Sequence, residues 1–178
     1  TLDVWKRSML VNFRARFMQG RERIRMGIFF PDASELPNSS LATYLSLAKR
    51  ECGTPASETF INAAGLDLDG LLSTLEQAET SGEPYALLGA SYSFVPVLDA
   101  LAASGRRFSL PEGSRILDTG GFKGQSRELG PDEFYDGLSA AFGVPRAACI
   151  NMYGMTELSS QLYDDGNVTC PSVKSGPH

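Results

Sequence analysis

Short apolar runs rich in β-favouring residues alternate along this chain with amphipathic helical segments, and that alternation restricts the fold more than any other feature. Residues 3–19 carry Val4, Trp5, Met9, Leu10, Phe13 and Phe17 at three- and four-residue intervals with Arg and Lys between them, a helix pattern that Gly20 ends. Residues 25–30 are short, apolar and closed by Pro31, as expected of a strand covered on both faces. Helices are then expected at 41–52, at 67–80 with Asp67 as N-cap, at 94–104 entered through Ser91 or Ser93, and at 131–142 with Pro131 in the first turn. Strands are expected between them at 58–63, 85–90, 115–118 and 147–152.

Five strands joined by helical crossovers predict an α/β fold: a doubly wound, mostly parallel sheet with helices on both faces, because parallel neighbours need crossovers and each crossover covers a face. Such sheets bind ligands at the carboxyl ends of their strands, so the loops after Ala90, Asp118 and Met152 are where chemistry is expected. Residues 1–162 read as compact βα units, and 163–178 as a polar tail rich in Gly, Pro and Ser, beyond which the parent polypeptide is expected to continue.

Composition removes several functions. At 178 residues and 42% hydrophobic the chain can bury a full core, and one domain is expected. A net charge of -5 lacks the basic footprint that nucleic-acid phosphates or anionic lipid require. No apolar run reaches the about 20 residues of a bilayer crossing, and no signal-peptide pattern opens the chain, so a soluble, cytoplasmic protein is expected. Cys52, Cys149 and Cys170 are far apart, with only His178 to join them, which argues against disulfides and zinc; none shows the neighbours of a reactive thiol.

The richest constellation is Asn151-Met152-Tyr153-Gly154-Met155-Thr156-Glu157, at the end of the last expected strand. An amide can pair with an adenine edge, a phenol ring offers a flat face, glycine admits close backbone approach, a hydroxyl can donate to phosphate and a carboxylate can hold Mg2+. The plainer alternative is a turn with a packed tyrosine and a helix-capping Thr-x-x-Ser segment.

The stretch resembles the N-x-Y-G-x-T-E motif of the adenylate-forming superfamily, which includes acyl-CoA synthetases, peptide-synthetase adenylation domains and luciferases. With its continuation to Gln161 and with Ile116-Leu117-Asp118-Thr119-Gly120-Gly121-Phe122-Lys123-Gly124 upstream, it is most similar to the acyl-protein synthetases of the LuxE type, relatives of phenylacetate-CoA ligase. The similarity runs from about residue 115 to 163.

The resemblance implies part of the larger N-terminal domain of an ATP- and Mg2+-dependent ligase that activates a carboxylic acid, expected to be a fatty acid, as acyl-AMP. The acyl group then passes to a thiol, of CoA or of a protein cysteine. Asn151 would bind the adenine amino group, Tyr153 would lie against the adenine ring with Met152 and Gly154 beside it, Thr156 would bond the α-phosphate and Glu157 would ligate Mg2+. Thr156 and Glu157 are thus the catalytic candidates, with Glu157 the metal ligand. Gly120, Gly121 and Phe122 would pass between adenosine and acyl group, and Lys123 could meet a carboxylate or phosphate. Tyr92 and Phe94 could wall an acyl pocket, although aromatics at a helix start are more often core.

The family also has an upstream Ser/Thr/Gly-rich phosphate loop, a downstream ribose-binding aspartate and a mobile domain with a catalytic lysine; no S-G-T-T-G-like run is present, so an incomplete ligase is expected. The alternative is a non-catalytic flavodoxin-like nucleotide or small-molecule binding module. A receiver lacks its carboxylate pair after Phe30, and a nicotinamide oxidoreductase lacks the G-x-G-x-x-G fingerprint.

Overall fold

A computed structural model describes residues 2–122, 124–155 and 160–164. The first helix, α1 (Leu2–Phe13), runs into a π-helical turn at Arg14–Met18 and stops where Gln19 and Gly20 take left-handed backbone angles. Strand β1 (Arg25–Phe29) follows, then α2 (Ser40–Cys52), whose Ser39 cap accepts the Ala42 amide at 3.2 Å. After the two-residue β2 (Glu58–Thr59) comes a small hairpin of β3 (Ile61–Asn62) and β4 (Gly65–Leu66). Helix α3 (Leu68–Ser81) starts at the expected cap, where Asp67 Oδ1 accepts the Gly70 amide at 3.0 Å. The remaining elements are β5 (Tyr85–Ala90), α4 (Ser91–Ser104), β6 (Arg115–Thr119), α5 (Pro131–Phe142), a 3-10 turn at Arg146–Ala148, β7 (Cys149–Met155) and β8 (Ser160–Tyr163).

The main sheet has the order β2-β1-β5-β6-β7-β8, parallel throughout except for the last pair. Side chains alternate across it. Phe29, Leu87, Ile116 and Cys149 pack on one face against Leu71 and Leu75 of α3, Phe94 and Val97 of α4, and Phe134, Leu138 and Phe142 of α5. Met26, Ile28, Leu88, Leu117 and Ile150 pack on the other against Trp5, Met9 and Phe13 of α1 and Tyr44, Leu45 and Ala48 of α2. The α/β, doubly wound, mostly parallel reading therefore holds, with helices on both faces.

Three expectations change in detail. The sheet has six strands rather than five, because residues 160–163 pair antiparallel with β7, Tyr153 opposite Leu162 and Met152 opposite Tyr163. Tyr163, read from sequence as the start of a polar tail, is anchored by a 2.7 Å hydrogen bond between its hydroxyl and that of Tyr44. The strand expected at 58–63 breaks after Thr59: Asn62 Oδ1 accepts the Ala64 amide at 2.8 Å and Gly65 adopts φ +109°, a turn that folds the chain back on itself. Strand β7 begins two residues later than expected, since 146–148 form the 3-10 turn, and continues to Met155.

Candidate functional site

Because β5, β6 and β7 are parallel and in the register Ala90–Thr119–Met152, the three segments singled out in the sequence lie along the same edge, although β7 runs on to Met155. There a cavity of about 420 Å3 opens, a size common for small-ligand sites. The segment after Ala90, where α4 begins at once, lines no part of it. Thr119, Gly120 and Gly121 form one side and Asn151, Met152, Tyr153 and Gly154 another. Trp5 of α1, Ser40, Leu41 and Tyr44 of α2, and Gln161 of β8 complete the wall. The described lining residues carry no charge. The described lining offers a ligand shape, aromatic faces and a few amides and hydroxyls.

The candidate residues present themselves differently. Tyr153 is 58% exposed, so its ring is available to a flat ligand. Met152 is buried among core residues and meets the cavity beside its neighbours, while its carbonyl accepts from Thr119 Oγ1 at 2.5 Å. Gly120 and Gly121 have φ of +77° and +63°, backbone that disfavours other residues, and a Cβ built on Gly121 would meet nothing within 4 Å. Packing therefore does not require that glycine; its backbone angle does, and open space lies beside it.

Phe122 stays off the cavity, its ring edge-on to Phe134 at 5.4 Å. Phe94 is wholly buried between Phe29 and Phe134 and serves as core, and Tyr92 packs against the opposite core cluster. Lys123, Thr156 and Glu157 lie outside the described residues.

Behind the cavity lies a polar cluster that sequence reasoning did not assemble. Asp118, 1% exposed, accepts Ser91 Oγ at 2.7 Å and Asn151 Nδ2 at 3.0 Å on Oδ2, and the Tyr135 hydroxyl at 3.0 Å on Oδ1. Burial pushes its carboxyl up to about 6; the three donors and the repulsion of Asp164 are the smaller influences. Asn151 is pinned from the other side as well, its amide N–H donating to Asp164 Oδ1 and its carbonyl accepting the Asp164 amide, both at 3.0 Å. Ser91, expected as a possible helix cap, is diverted from that role: α4 begins without a side-chain cap.

The sequence carried one hint of this cluster, a carboxylate closing the apolar run Ile116-Leu117-Asp118, but its donors come from three other elements. Trp5 was legible only as one of the spaced apolar residues of the first helix, and Tyr44 only as part of the helix expected at 41–52. Cys149 is buried, and burial pushes its thiol up to about 12, which suits an inert packing residue; burial likewise raises Cys52. Cys170 lies outside the described residues. Among the described residues no group of three or more His, Cys, Asp or Glu side chains is placed to hold a metal ion, and no helix is long and apolar enough to cross a membrane. No family model matches the chain, and comparison with curated proteins yields no match.

Proposed function

We propose that the chain is the adenosine-binding part of an ATP-dependent adenylate-forming ligase, of acyl-protein synthetase type, that activates a carboxylic acid as acyl-AMP for transfer to a thiol. The observation that carries this reading is the convergence of Gly120, Gly121, Asn151, Tyr153 and Gly154 on one cavity, uncharged among the described residues, at the carboxyl edge of a parallel sheet. Adenosine suits these residues. Tyr153 offers a ring face, and the Asn151 Oδ1 is an acceptor with no partner among the described residues. The space beside Gly121 takes a ligand where a side chain would intrude. Trp5, Leu41 and Tyr44 shield the site from water on the side of α1 and α2.

ATP, when bound, would supply an electrophilic α-phosphorus and a pyrophosphate leaving group, and Mg2+ would neutralise the phosphates. The Thr156 and Glu157 roles, toward α-phosphate and Mg2+, rest on the motif resemblance alone. Phe122, tied to Phe134, would hold the glycine loop in place rather than touch adenosine. A fatty acid as substrate and CoA or a protein cysteine as acceptor likewise follow from the resemblance.

The chain has a single tryptophan and it lines the cavity, so Trp5 emission reports occupancy. Titration with AMP is expected to change that emission saturably, and Tyr153→Ala to weaken binding about tenfold, the scale of one lost base–aromatic stack. A folded protein indifferent to millimolar AMP would end the reading. Activity is tested by exchange of labelled pyrophosphate into ATP: a polypeptide that adds a phosphate loop and lysine domain should show it only with a carboxylic acid present, and residues 1–178 alone should not. That the described wall residues are uncharged also favours a second reading, a non-catalytic nucleotide-binding module. AMP binding without exchange in the longer polypeptide would select it.

A further inference from the structure

Asparagine can offer a cleft either an acceptor or two donors, and the two ends of its amide have nearly the same shape. What decides between them at Asn151 is Asp118, whose ionised carboxylate can only accept. It takes Nδ2 of Asn151 at 3.0 Å, and so leaves Oδ1 as the amide's unbonded end. We infer that Asp118 is a positioning residue that sets base selectivity: by fixing the Asn151 amide oxygen-outward, it makes the cleft accept a purine with a 6-amino group and reject one with a 6-oxo group. This rests on the adenosine reading and adds to it a discriminating residue that touches no ligand.

The orientation is held from every side. Ser91 of α4 and Tyr135 of α5 donate to the two oxygens of Asp118, so the carboxylate cannot turn away. Asp164, just past β8, clamps the Asn151 backbone through both its N–H and its C=O. Among the described residues the titratable groups facing Asp118 are Asp164, Tyr135 and the Cys149 thiol. Burial holds the Asp118 carboxyl near 6, so below that pH it gains a proton that needs an acceptor. Ser91 Oγ can take that proton by passing its own hydrogen to the Thr119 carbonyl, 3.0 Å away. The Asn151 amide can take it instead by turning its oxygen inward, which puts its NH2 into the cleft and reverses what the cleft reads.

The test compares AMP with inosine monophosphate, which carries oxygen in place of the 6-amino group, by Trp5 emission on the whole chain. At pH 7.5 wild type should bind AMP at least tenfold more tightly, the scale of one correctly paired base edge. Asp118→Asn, nearly isosteric but able to meet Asn151 in either orientation, should bring the two ligands within about threefold. In wild type, lowering the pH to 5.5 should shrink the ratio in the same way; the shared phosphate cancels from it. A merely structural role for Asp118 would weaken both ligands together and leave the ratio unmoved, and that result would overturn the inference while sparing the adenosine reading. A ligand-free readout separates the two further: the side-chain amide NMR signals of Asn151 should titrate with a midpoint near pH 6 in wild type and not in Asp118→Asn. Signals flat from pH 5 to 8 would refute the coupling even if AMP binds. Titrating signals in a protein that binds neither nucleotide would overturn the adenosine reading and the selectivity built on it.

Discussion

Strand β6 buries a charged side chain at each end, and the two ends treat the charge in opposite ways. At its carboxyl end Asp118 is 1% exposed and receives hydrogen bonds from Ser91, Tyr135 and Asn151, three residues on three different elements. At its amino end Arg115 is 4% exposed, yet its guanidinium makes no hydrogen bond among the described residues, and Nε is buried without a partner. It lies over the Phe17 ring at 5.5 Å instead. The carboxylate is thus built into a network and the guanidinium is merely packed. A buried charge that recruits donors from across the fold holds something in place; here it holds Asn151 at the wall of the cleft. A buried charge that recruits none is a long side chain covering core.

The largest effect should come from stripping the carboxyl end of its donors. Ser91→Ala combined with Tyr135→Phe removes two hydrogen bonds to a buried carboxylate, each worth roughly 1.5–3 kcal/mol, so urea unfolding at pH 7.5 should show a loss of about 3–6 kcal/mol. At pH 5 the loss should be visibly smaller, because a protonated Asp118 needs donors less. Equal losses at both pH values would mean that the donors serve packing rather than the charge.

A somewhat smaller effect follows from Asp118 itself. Its folded-state value of about 6 lies above the ordinary 3.8, so between those values the folded protein binds more protons than the unfolded chain. Stability contributed by this group is therefore present below about pH 4 and declines as pH rises through about 6. Two units of displacement correspond to about 3 kcal/mol. Asp118→Asn should lack this decline, so its stability relative to wild type should rise across that window. Parallel pH–stability curves for the two proteins would show that Asp118 is not buried as described.

The contrast between the two ends also marks how far the sequence could be read. The apolar runs at β1, β5, β6 and β7 announced a parallel sheet, and Asp67 and Pro131 announced two helix starts, because each signal is local. The carboxyl edge as the place to expect a ligand followed from parallel strands alone. Strand β8 was missed because Ser160–Tyr163 is short, and its evidence lies in distant partners, β7 and Tyr44. The β3–β4 hairpin carried its signal in Asn62 and Gly65, but the apolar run from Phe60 to Ile61 outweighed it. Helix periodicity placed Trp5 on the apolar face of the first helix and was silent on which strand end it reaches, and Tyr44 was legible as no more than part of a helix. No local pattern distinguishes Arg115 from Asp118 either; whether a buried charge is satisfied depends on what other elements bring to it.

The smallest effect is expected at the amino end and completes the comparison. Arg115→Met keeps an unbranched side chain of similar length over Phe17, trading the cation–π contact, worth about 0.5–1 kcal/mol, for a sulfur–aromatic contact of similar size. It removes no hydrogen bond among the described residues and relieves a guanidinium whose charge burial and nearby Arg21 both disfavour, the combination that lowers its pKa. Unfolding free energy should therefore stay within about 1 kcal/mol of wild type, with any change on the stabilising side. AMP binding should be unaltered, since Arg115 and Asp118 sit at opposite ends of β6. A loss of 3 kcal/mol or more would mean that the guanidinium has an anionic partner outside the described residues. The two ends of β6 would then be alike in kind, and satisfaction of a buried charge would no longer mark the cleft side as special.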